Sequence, residues 1–438
     1  MQQIDTLVHA RWVVPVEPHG RVLAHHAVAV HNGRIVAVEP SPRARSAFRA
    51  AHEVDLPAHA LIPGLVNAHG HAAMTLFRGL ADDLPLMTWL GEHIWPAEAR
   101  WVSEEFVAAG TGLALAEMLR GGTTCFNDMY FFPQVTARAA AAAGMRAVVG
   151  LIVLDFPSAW AADADAYFAR AVDVFDELKG HPLVRTAFAP HAPYSVSDAP
   201  LARVRKLADE LELPVHIHVH ETRDEIAQSL ERHGVRPIAR LDRLGLVSPS
   251  LVAVHMTQLE DEEIALFAAK GAHVVHCPES NLKLASGFCP VQRLLDAGVD
   301  VALGTDGAAS NNDLDMFGEL RTAALLAKGV AADPSAVPAA TALRMATLNG
   351  ARALGLADEV GSLVPGKEAD LVAVDLSFPE TQPVHHPISQ LVYAAGRRQV
   401  SHVWIAGRPV LVEGRLTTID LDKAREDAEA WRARIAAG

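Results

Sequence analysis

Short apolar runs recur through the middle of the chain, and amphipathic segments with helical spacing, such as Leu201–Leu211 and Asp261–Ala269, separate most of them. Alternation of this kind is typical of parallel strands joined by crossover helices. Eight runs favour a closed barrel over an open doubly wound sheet, which would show a Gly-rich first turn that this sequence lacks. We therefore predict an α/β fold with a TIM-like (β/α)8 barrel. The runs are Leu61–Asn67, Thr123–Asp128, Ala147–Val153, Thr186–Ala189, Val215–Val219, Leu251–His255, His273–His276 and Val301–Gly304.

Both ends of the chain have a different pattern, one of short strands and tight turns. Two strand-like segments flank Asn32-Gly33, a strong signal for a hairpin. Near the other end, Asp370–Val374 and Val403–Gly407 have the same character. Because no long linker separates the parts, we predict one small β-sandwich domain built from both ends. It comprises residues 1–58 and 363–438, the latter with a terminal helix, and the barrel occupies 59–362.

Composition narrows the possible partners and compartments. The formal net charge of -14 argues against binding to nucleic acid or to an anionic membrane surface. The three cysteines are widely spaced and form no CxxC pair, which fits a reducing cytoplasm better than a disulfide framework. The N-terminus lacks the pattern of a signal peptide, and no apolar run is long enough to span a bilayer. We therefore expect a cytoplasmic protein.

Polar residues recur where the predicted barrel strands end. The first run leads into His69-Gly70-His71, and residues two apart on an extended segment face the same way. Later runs end at or near His191, at His255 and at Asp306. The fifth run contains an alternating series, His216, His218 and His220, followed by Glu221, and parity alone does not choose among these histidines. Barrel enzymes gather their catalytic groups at the C-terminal ends of several strands.

The residue types indicate a metal-assisted hydrolysis. Nitrogen and oxygen ligands without thiolates favour a catalytic zinc with an open position for water, although iron or manganese accepts similar ligands. Such a metal lowers the pKa of its water to near neutrality. Glu221 could carry protons, while His255 and Asp306 could orient and deprotonate the water.

Longer motifs give the sequence a specific resemblance. Leu61 to His71 reads LIPGLVNAHGH, and the following residues read AAMTLFRG. Further matches are PHAPY at 190–194, SNLKLASG at 280–287 and GTDGAASNN at 304–312. Over nearly its whole length the chain resembles the amidohydrolase superfamily, and in particular its 5′-methylthioadenosine/S-adenosylhomocysteine deaminases.

The resemblance implies a role for each matching position. One zinc ion per subunit is expected on four ligands, and the family's spacing selects His218 from the alternating series. Glu221 is expected to protonate the purine ring, His255 to lie beside the attacking water, and Asp306 to take its proton. Glu98 is expected to hold the ribose hydroxyls and His191 to contact the substrate. The expected zinc ligands are His69, His71, His218 and Asp306.

The implied reaction is hydrolytic deamination of an adenine nucleoside by a homodimer or homotetramer. Family members that accept the long amino-acid tail of S-adenosylhomocysteine are expected to offer arginine after the third strand. Residues 147–169 contain no basic residue here, but they do contain Asp155, Asp163 and Asp165. We therefore expect 5′-methylthioadenosine to be preferred, with Phe156 and Trp160 as candidates to cover its thiomethyl group.

The sequence is also compared with other kinds of site and function, which it supports less well. A binuclear site needs a lysine at the end of the third or fourth run, and none lies there. Cysteine-liganded deaminases need an HxE and a PCxxC motif, which are absent. A deaminase or chlorohydrolase of another heterocycle, such as guanine or a triazine, would lack a use for Glu98 as a ribose holder. A non-catalytic barrel that serves in assembly, or a metal-binding protein without turnover, would have no need for the complete set of catalytic groups.

Overall fold

The structure is a computed structural model that describes residues 1–437. In that range the strands, in chain order, are β1 (Gln2–Val13), β2 (Leu23–His31), β3 (Arg34–Pro40), β4 (Phe48–Pro63), β5 (Leu65–Gly70), β6 (Thr123–Asp128), β7 (Arg146–Val153), β8 (Val184–Pro190), β9 (Val215–Val219), β10 (Leu251–His255), β11 (His273–His276), β12 (Val301–Leu303), β13 (Leu371–Asp375), β14 (Val400–Ile405), β15 (Arg408–Val412) and β16 (Arg415–Leu416).

The α-helices of the same range are Ser41–Ala47, Leu86–Thr88, Trp95–Trp101, Glu104–Arg120, Pro133–Ala143, Ala164–Leu178, Asp198–Leu211, Arg223–His233, Pro237–Arg243, Asp261–Lys270, Pro278–Lys283, Val291–Asp296, Ala308–Asn311, Met316–Ala331, Ala339–Arg344, Gly350–Ala353, Pro387–Tyr393 and Leu421–Ala436. Shorter 3-10 turns lie at Ala72–Phe77, Pro379–Thr381 and Arg397–Gln399, and π-helical turns lie at Trp89–Ile94 and Met345–Asn349. None of the helices in residues 1–437 is long and apolar enough to cross a membrane.

Strands β5 to β12 form the predicted barrel, with every neighbouring pair parallel. The ring closes where Asp306, just after β12, donates its backbone N–H to the carbonyl of His69 on β5 at 3.0 Å. Gly304 lies at this seam, and a Cβ there would come within 2.8 Å of the His69 backbone. The closure therefore brings together two of the residues that the sequence marks as metal ligands.

Strands from both chain ends form a second, mixed sheet, as predicted. β4 pairs in parallel with β1 and antiparallel with β13, so the N-terminal and C-terminal strands share one sheet. The hairpin predicted at Asn32-Gly33 joins β2 to β3, and both turn residues have positive φ. The fold class is thus confirmed, while the domain limits after residues 58 and 362 stay a prediction.

The first predicted run is wrong in its boundary. Leu61–Asn67 is divided at Gly64, because β4 ends at Pro63 in the end sheet and the barrel begins at Leu65. A Cβ at Gly64 would lie 1.9 Å from the Thr124 hydroxyl, so the close approach of β6 requires glycine at this junction. The remaining runs coincide with β6 to β12 to within two residues at each end.

Candidate active site

Four side chains meet at the C-terminal end of the barrel. His69 lies on β5 and His71 directly after it, while His218 lies near the end of β9 and Asp306 after β12. One nitrogen or oxygen atom from each lies within 4.8 Å of those from the others. The Asp306 Oδ1 atom is 3.3 Å from His69 Nε2 and 3.1 Å from His71 Nε2. The structure therefore brings together all four predicted ligands.

The ring nitrogens that point away from the cluster, Nδ1 of His71 and of His218, show why the cluster suits a cation. His71 Nδ1 donates to the Met129 carbonyl at 2.6 Å, and His218 Nδ1 donates to the His191 carbonyl at 2.8 Å. Each bond holds a proton on Nδ1 and turns Nε2 towards the cluster, the arrangement of a metal-ligating histidine. His69 Nε2 and His218 Nε2 lie only 3.2 Å apart, so a shared ion would satisfy both lone pairs.

His216 resolves part of the ambiguity in the alternating series. It lies on the same face of β9 as His218 but one layer deeper in the barrel, where its Nε2 contacts His69 Nδ1 at 2.8 Å. It thus contacts a member of the cluster without joining it. His220 is buried outside the cluster and accepts the Ile238 N–H at 3.2 Å.

Glu221 and His255 face one another beside the cluster. Glu221 Oε2 lies 3.8 Å from His255 Nε2, and Ser286 Oγ donates to Glu221 Oε1 at 3.4 Å. Burial raises the pKa of Glu221 above its ordinary value. The buried carboxylate of Glu225 accepts the backbone N–H of Glu221 at 2.8 Å, which fixes the end of the strand.

Asp306 is held by groups from its own loop and from a neighbouring helix. Its Oδ2 atom accepts hydrogen bonds from Ser280 at 2.6 Å and from Ser310 at 3.0 Å. Its Oδ1 atom accepts the Gly307 N–H at 2.8 Å and faces the histidines. Asp306 and His255 both have positive φ, 61° and 76°, so both side chains leave their strands through strained backbone.

An apolar pocket opens above these groups. Its walls include the segment from Leu86 to Trp95, which combines a short helix with a π-helical turn. Among the described residues that line it, none is a lysine or an arginine. The apolar lining consists of Met74, Leu86, Trp89, Leu90, Ile94, Trp95, Met129, Phe131, Ile152, Leu154, Phe156 and Leu284. The polar lining consists of His71, Glu98, Tyr130, His191, Tyr194, His218, Glu221, His255 and Asp306.

Glu98 and His191, the two residues expected to contact the nucleoside, both line this pocket. Glu98 lies on the helix Trp95–Trp101, and loss of hydration raises the pKa of its carboxyl to about 7. His191 follows β8, and burial lowers its pKa to about 3, so the ring is neutral. Ser195 donates its proton to the Ala192 carbonyl and therefore accepts from His191 Nδ1 at 2.8 Å. The Nε2 atom of His191 is left as an acceptor.

Of the two aromatic residues expected to cover the thiomethyl group, one lines the pocket and the other does not. Phe156 lines it beside Trp95, with ring centroids 6.1 Å apart. Trp160 does not line the pocket, because it is buried against Tyr167.

The acidic residues of the same stretch lie outside the pocket lining and make other contacts. Asp163 caps the helix Ala164–Leu178, and Asp165 pairs with Arg203 at 2.6 Å. Asp155 accepts the Ser197 N–H at 2.8 Å. These carboxylates therefore do not bear on the choice of substrate. The feature of the pocket that does is its apolar lining.

The sequence did not assign roles to several residues that shape the site. Ser280, Asn281 and Ser286 fall inside the motif at 280–287, but the spacing gave no hint of which group each would contact. The apolar wall from Leu86 to Trp95 has no strand or long-helix periodicity that could have revealed it.

Comparisons with known proteins identify the relatives of this chain. The model of the amidohydrolase family matches residues 60–410. A 5-methylthioadenosine/S-adenosylhomocysteine deaminase of Teredinibacter turnerae is 50% identical over 434 residues, which cover 99% of this chain and 98% of the relative. A second protein of that name, from Saccharophagus degradans, is 49% identical over 99% of this chain and 97% of its own length.

One protein of known structure has a higher sequence identity to this chain than these two relatives. An adenosine deaminase from Xanthomonas campestris with bound zinc is 60% identical, with a TM-score of 0.99 and full coverage of both chains. An atrazine chlorohydrolase from Arthrobacter aurescens has a TM-score of 0.90 over 98% of this chain and all of its own. Its identity is 24%, so that likeness shows the fold alone.

Proposed function

The chain belongs to the amidohydrolase family and, within it, to the 5-methylthioadenosine/S-adenosylhomocysteine deaminases, and from this premise we propose that it deaminates an adenine nucleoside by hydrolysis. The products are the 6-oxo purine nucleoside and ammonia. One observation carries the proposal: four converging ligand atoms lie beside a buried glutamate at the base of an apolar pocket.

The donor set suits one zinc ion per subunit. His69, His71, His218 and Asp306 would hold the ion, and iron or manganese would also accept three imidazoles and a carboxylate. Zinc in such a site supplies a water whose pKa is near neutral. The hydrogen bonds from Nδ1 of His71 and His218 to backbone carbonyls turn their Nε2 atoms towards the proposed ion, which supports this assignment.

Proton transfer is assigned to groups that touch the reacting atoms. Glu221 carries a proton to N1 of the purine, which lets the ring accept the electrons of the new C6–O bond. Its raised pKa favours the protonated form that this step needs. Asp306 takes a proton from the attacking water, and His255 orients that water. The proton held by Asp306 passes to the amino group, the C6–N bond breaks and the nitrogen leaves as ammonia, while the proton of the new C6 hydroxyl returns to Glu221.

Two further groups hold the nucleoside. Glu98 is proposed to accept hydrogen bonds from the vicinal ribose hydroxyls, and its position in the pocket lining supports this role. His191 is neutral, and its free Nε2 can accept a hydrogen bond from the substrate.

The apolar lining favours a small 5′ substituent. The thiomethyl group of 5′-methylthioadenosine can pack against residues such as Trp95 and Phe156. The tail of S-adenosylhomocysteine carries a carboxylate and an ammonium group, and burying them without partners costs several kcal/mol. Because the described lining offers no lysine or arginine, 5′-methylthioadenosine is the preferred substrate in this proposal.

The test is a substrate panel assayed for ammonia. The zinc-loaded protein is given 5′-methylthioadenosine, S-adenosylhomocysteine, adenosine, guanine and an aminotriazine, and kcat/KM is measured for each. The proposal expects the adenine nucleosides to react, with 5′-methylthioadenosine first. Turnover of guanine or the triazine alone would identify a deaminase of another heterocycle. Stoichiometric zinc without any ammonia would identify a metal-binding or assembly protein.

We propose in addition a homodimer or homotetramer in the cytoplasm. An exposed apolar surface formed by Leu282, Phe288, Leu325 and Val330 supports self-association. Light scattering on the purified chain measures the mass, and a monomer at micromolar concentration would contradict this part of the proposal.

A further inference from the structure

One short segment contacts all three of the groups that handle protons. Ser280 and Asn281 lie on the helix Pro278–Lys283, and Ser286 lies in the turn after it. Ser280 donates to Asp306 Oδ2 at 2.6 Å, and Ser286 donates to Glu221 Oε1 at 3.4 Å. The Asn281 Oδ1 atom accepts from His255 Nδ1 at 2.8 Å. All three side chains are buried.

We propose that this segment aligns the catalytic groups and that Asn281 is its decisive positioning residue, acting through His255; the proposal rests on the deaminase function above. The amide oxygen of Asn281 accepts a hydrogen bond from His255 Nδ1 and so holds a proton on that nitrogen. The other ring nitrogen, Nε2, then points towards Glu221 Oε2, 3.8 Å away, where the attacking water must be oriented.

His255 needs this support because its backbone does not fix the ring. It has φ of 76° at the end of β10, a conformation that non-glycine residues rarely adopt. On one side the ring stacks on His218, with centroids 5.4 Å apart. Its hydrogen bond to Asn281 therefore determines which nitrogen faces the pocket.

The segment is itself fixed to the strand ends that it serves. Gln258 donates to the Ser286 carbonyl at 2.8 Å, and the Thr257 hydroxyl lies 3.2 Å from the same carbonyl and 2.6 Å from the carbonyl of Glu221. Thr257 and Gln258 follow β10, two and three positions after His255. Lys283 donates to Asp82 at 2.5 Å and contacts Asn312. A displacement of the segment would therefore disturb Asp306, His255 and Glu221 together.

The test compares Asn281→Leu with Glu262→Leu, a control at an exposed position on the helix Asp261–Lys270, in the zinc-loaded enzyme. Asn281→Leu is expected to lower kcat about 10- to 100-fold, the usual effect of removing a partner that orients a site histidine. Zinc content and KM stay near the wild-type values. In a His255→Ala background the same substitution should change kcat less than about twofold, because the two residues act as one unit. Equal losses in both backgrounds, or a normal kcat in Asn281→Leu, would overturn the proposal.

A second readout does not depend on turnover. Nitrogen NMR of histidine-labelled holoenzyme, assigned with His255→Ala, reports which ring nitrogen carries the proton. Wild type should show His255 protonated on Nδ1, Asn281→Leu should lose that preference, and Asn281→Asp, which keeps an acceptor oxygen, should restore it. An unchanged His255 signal in Asn281→Leu would refute the positioning role. If the wild-type protein deaminates no adenine nucleoside, the proposed function fails, and the NMR signal still decides what Asn281 does to the ring.

Discussion

Replacing Glu221 by glutamine removes an ionisable proton while nearly preserving the shape of the side chain. The carboxyl group is buried, with Ser286 at 3.4 Å and His255 at 3.8 Å as its polar neighbours. A glutamine oxygen can still accept from Ser286, so we expect a loss in folding free energy of less than about 1 kcal/mol. None of the four proposed metal ligands changes, so the zinc content should remain at one ion per chain.

Turnover should respond very differently from stability. An amide cannot deliver a proton to N1, and loss of a positioned acid or base lowers the rate about 10²- to 10⁴-fold. That factor corresponds to about 3–5 kcal/mol of transition-state stabilisation, several times the expected change in folding free energy. The change should fall on kcat, because the purine ring receives the proton only as the reaction proceeds.

The assay follows the ultraviolet change as a 6-amino purine becomes a 6-oxo purine, with metal analysis and urea unfolding on the same samples. Glu231→Gln, on the exposed surface of the helix Arg223–His233, serves as the matched control. A kcat within about threefold of wild type in a zinc-replete Glu221→Gln enzyme would refute the proton-carrier role.

The other predictions concern the ribose, the metal, the 5′ substituent and the barrel seam. Glu98→Ala should weaken kcat/KM for nucleosides by about 1.5–3 kcal/mol and leave 2′,3′-dideoxy analogues little changed; equal losses would place Glu98 away from the diol. Asp306→Asn should lose both zinc and turnover on dialysis, whereas wild type stripped by a chelator should recover on adding zinc. Phe156→Arg should raise the ratio of kcat/KM for S-adenosylhomocysteine to that for 5′-methylthioadenosine about tenfold, and an unchanged ratio would remove Phe156 from the 5′ pocket. Gly304→Ala, whose Cβ would lie 2.8 Å from the His69 backbone, should lower the free energy of unfolding by about 1–3 kcal/mol in urea.

The barrel could be predicted because its strands are short, apolar and regularly spaced. Their polar ends marked the site because parallel strands in a barrel place all their C-termini on one face. The choice between His216 and His218 could not be made in this way, because both side chains leave the same face of β9. What separates them is depth: two residues along a strand is one layer, about 6.6 Å. His218 therefore belongs to the cluster of candidate ligands, while His216 contacts His69 from one layer deeper in the barrel.

The walls of the pocket could not be predicted from the pattern of apolar residues. Leu86 to Trp95 folds as a three-residue helix and a π-helical turn, which have no periodicity to detect. Trp160 was expected in the pocket because it is a large aromatic residue near the predicted site. It lies in the core instead, and the sequence pattern does not distinguish the two positions. The contact of Asn281 with His255 joins the end of β10 to the short helix after β11, 26 residues further along the chain, and the pairing of β10 with β11 brings the two together.

The central claim is that this chain exchanges the 6-amino group of an adenine nucleoside for an oxygen from water. The most direct measurement is mass spectrometry of the nucleoside product formed by zinc-loaded protein from 5′-methylthioadenosine in heavy-oxygen water, with ammonia measured in the same sample. We expect 5′-methylthioinosine with one heavy oxygen at C6 and one ammonia for each molecule formed. Recovery of unchanged 5′-methylthioadenosine, or cleavage of its glycosidic bond without release of ammonia, would contradict the account.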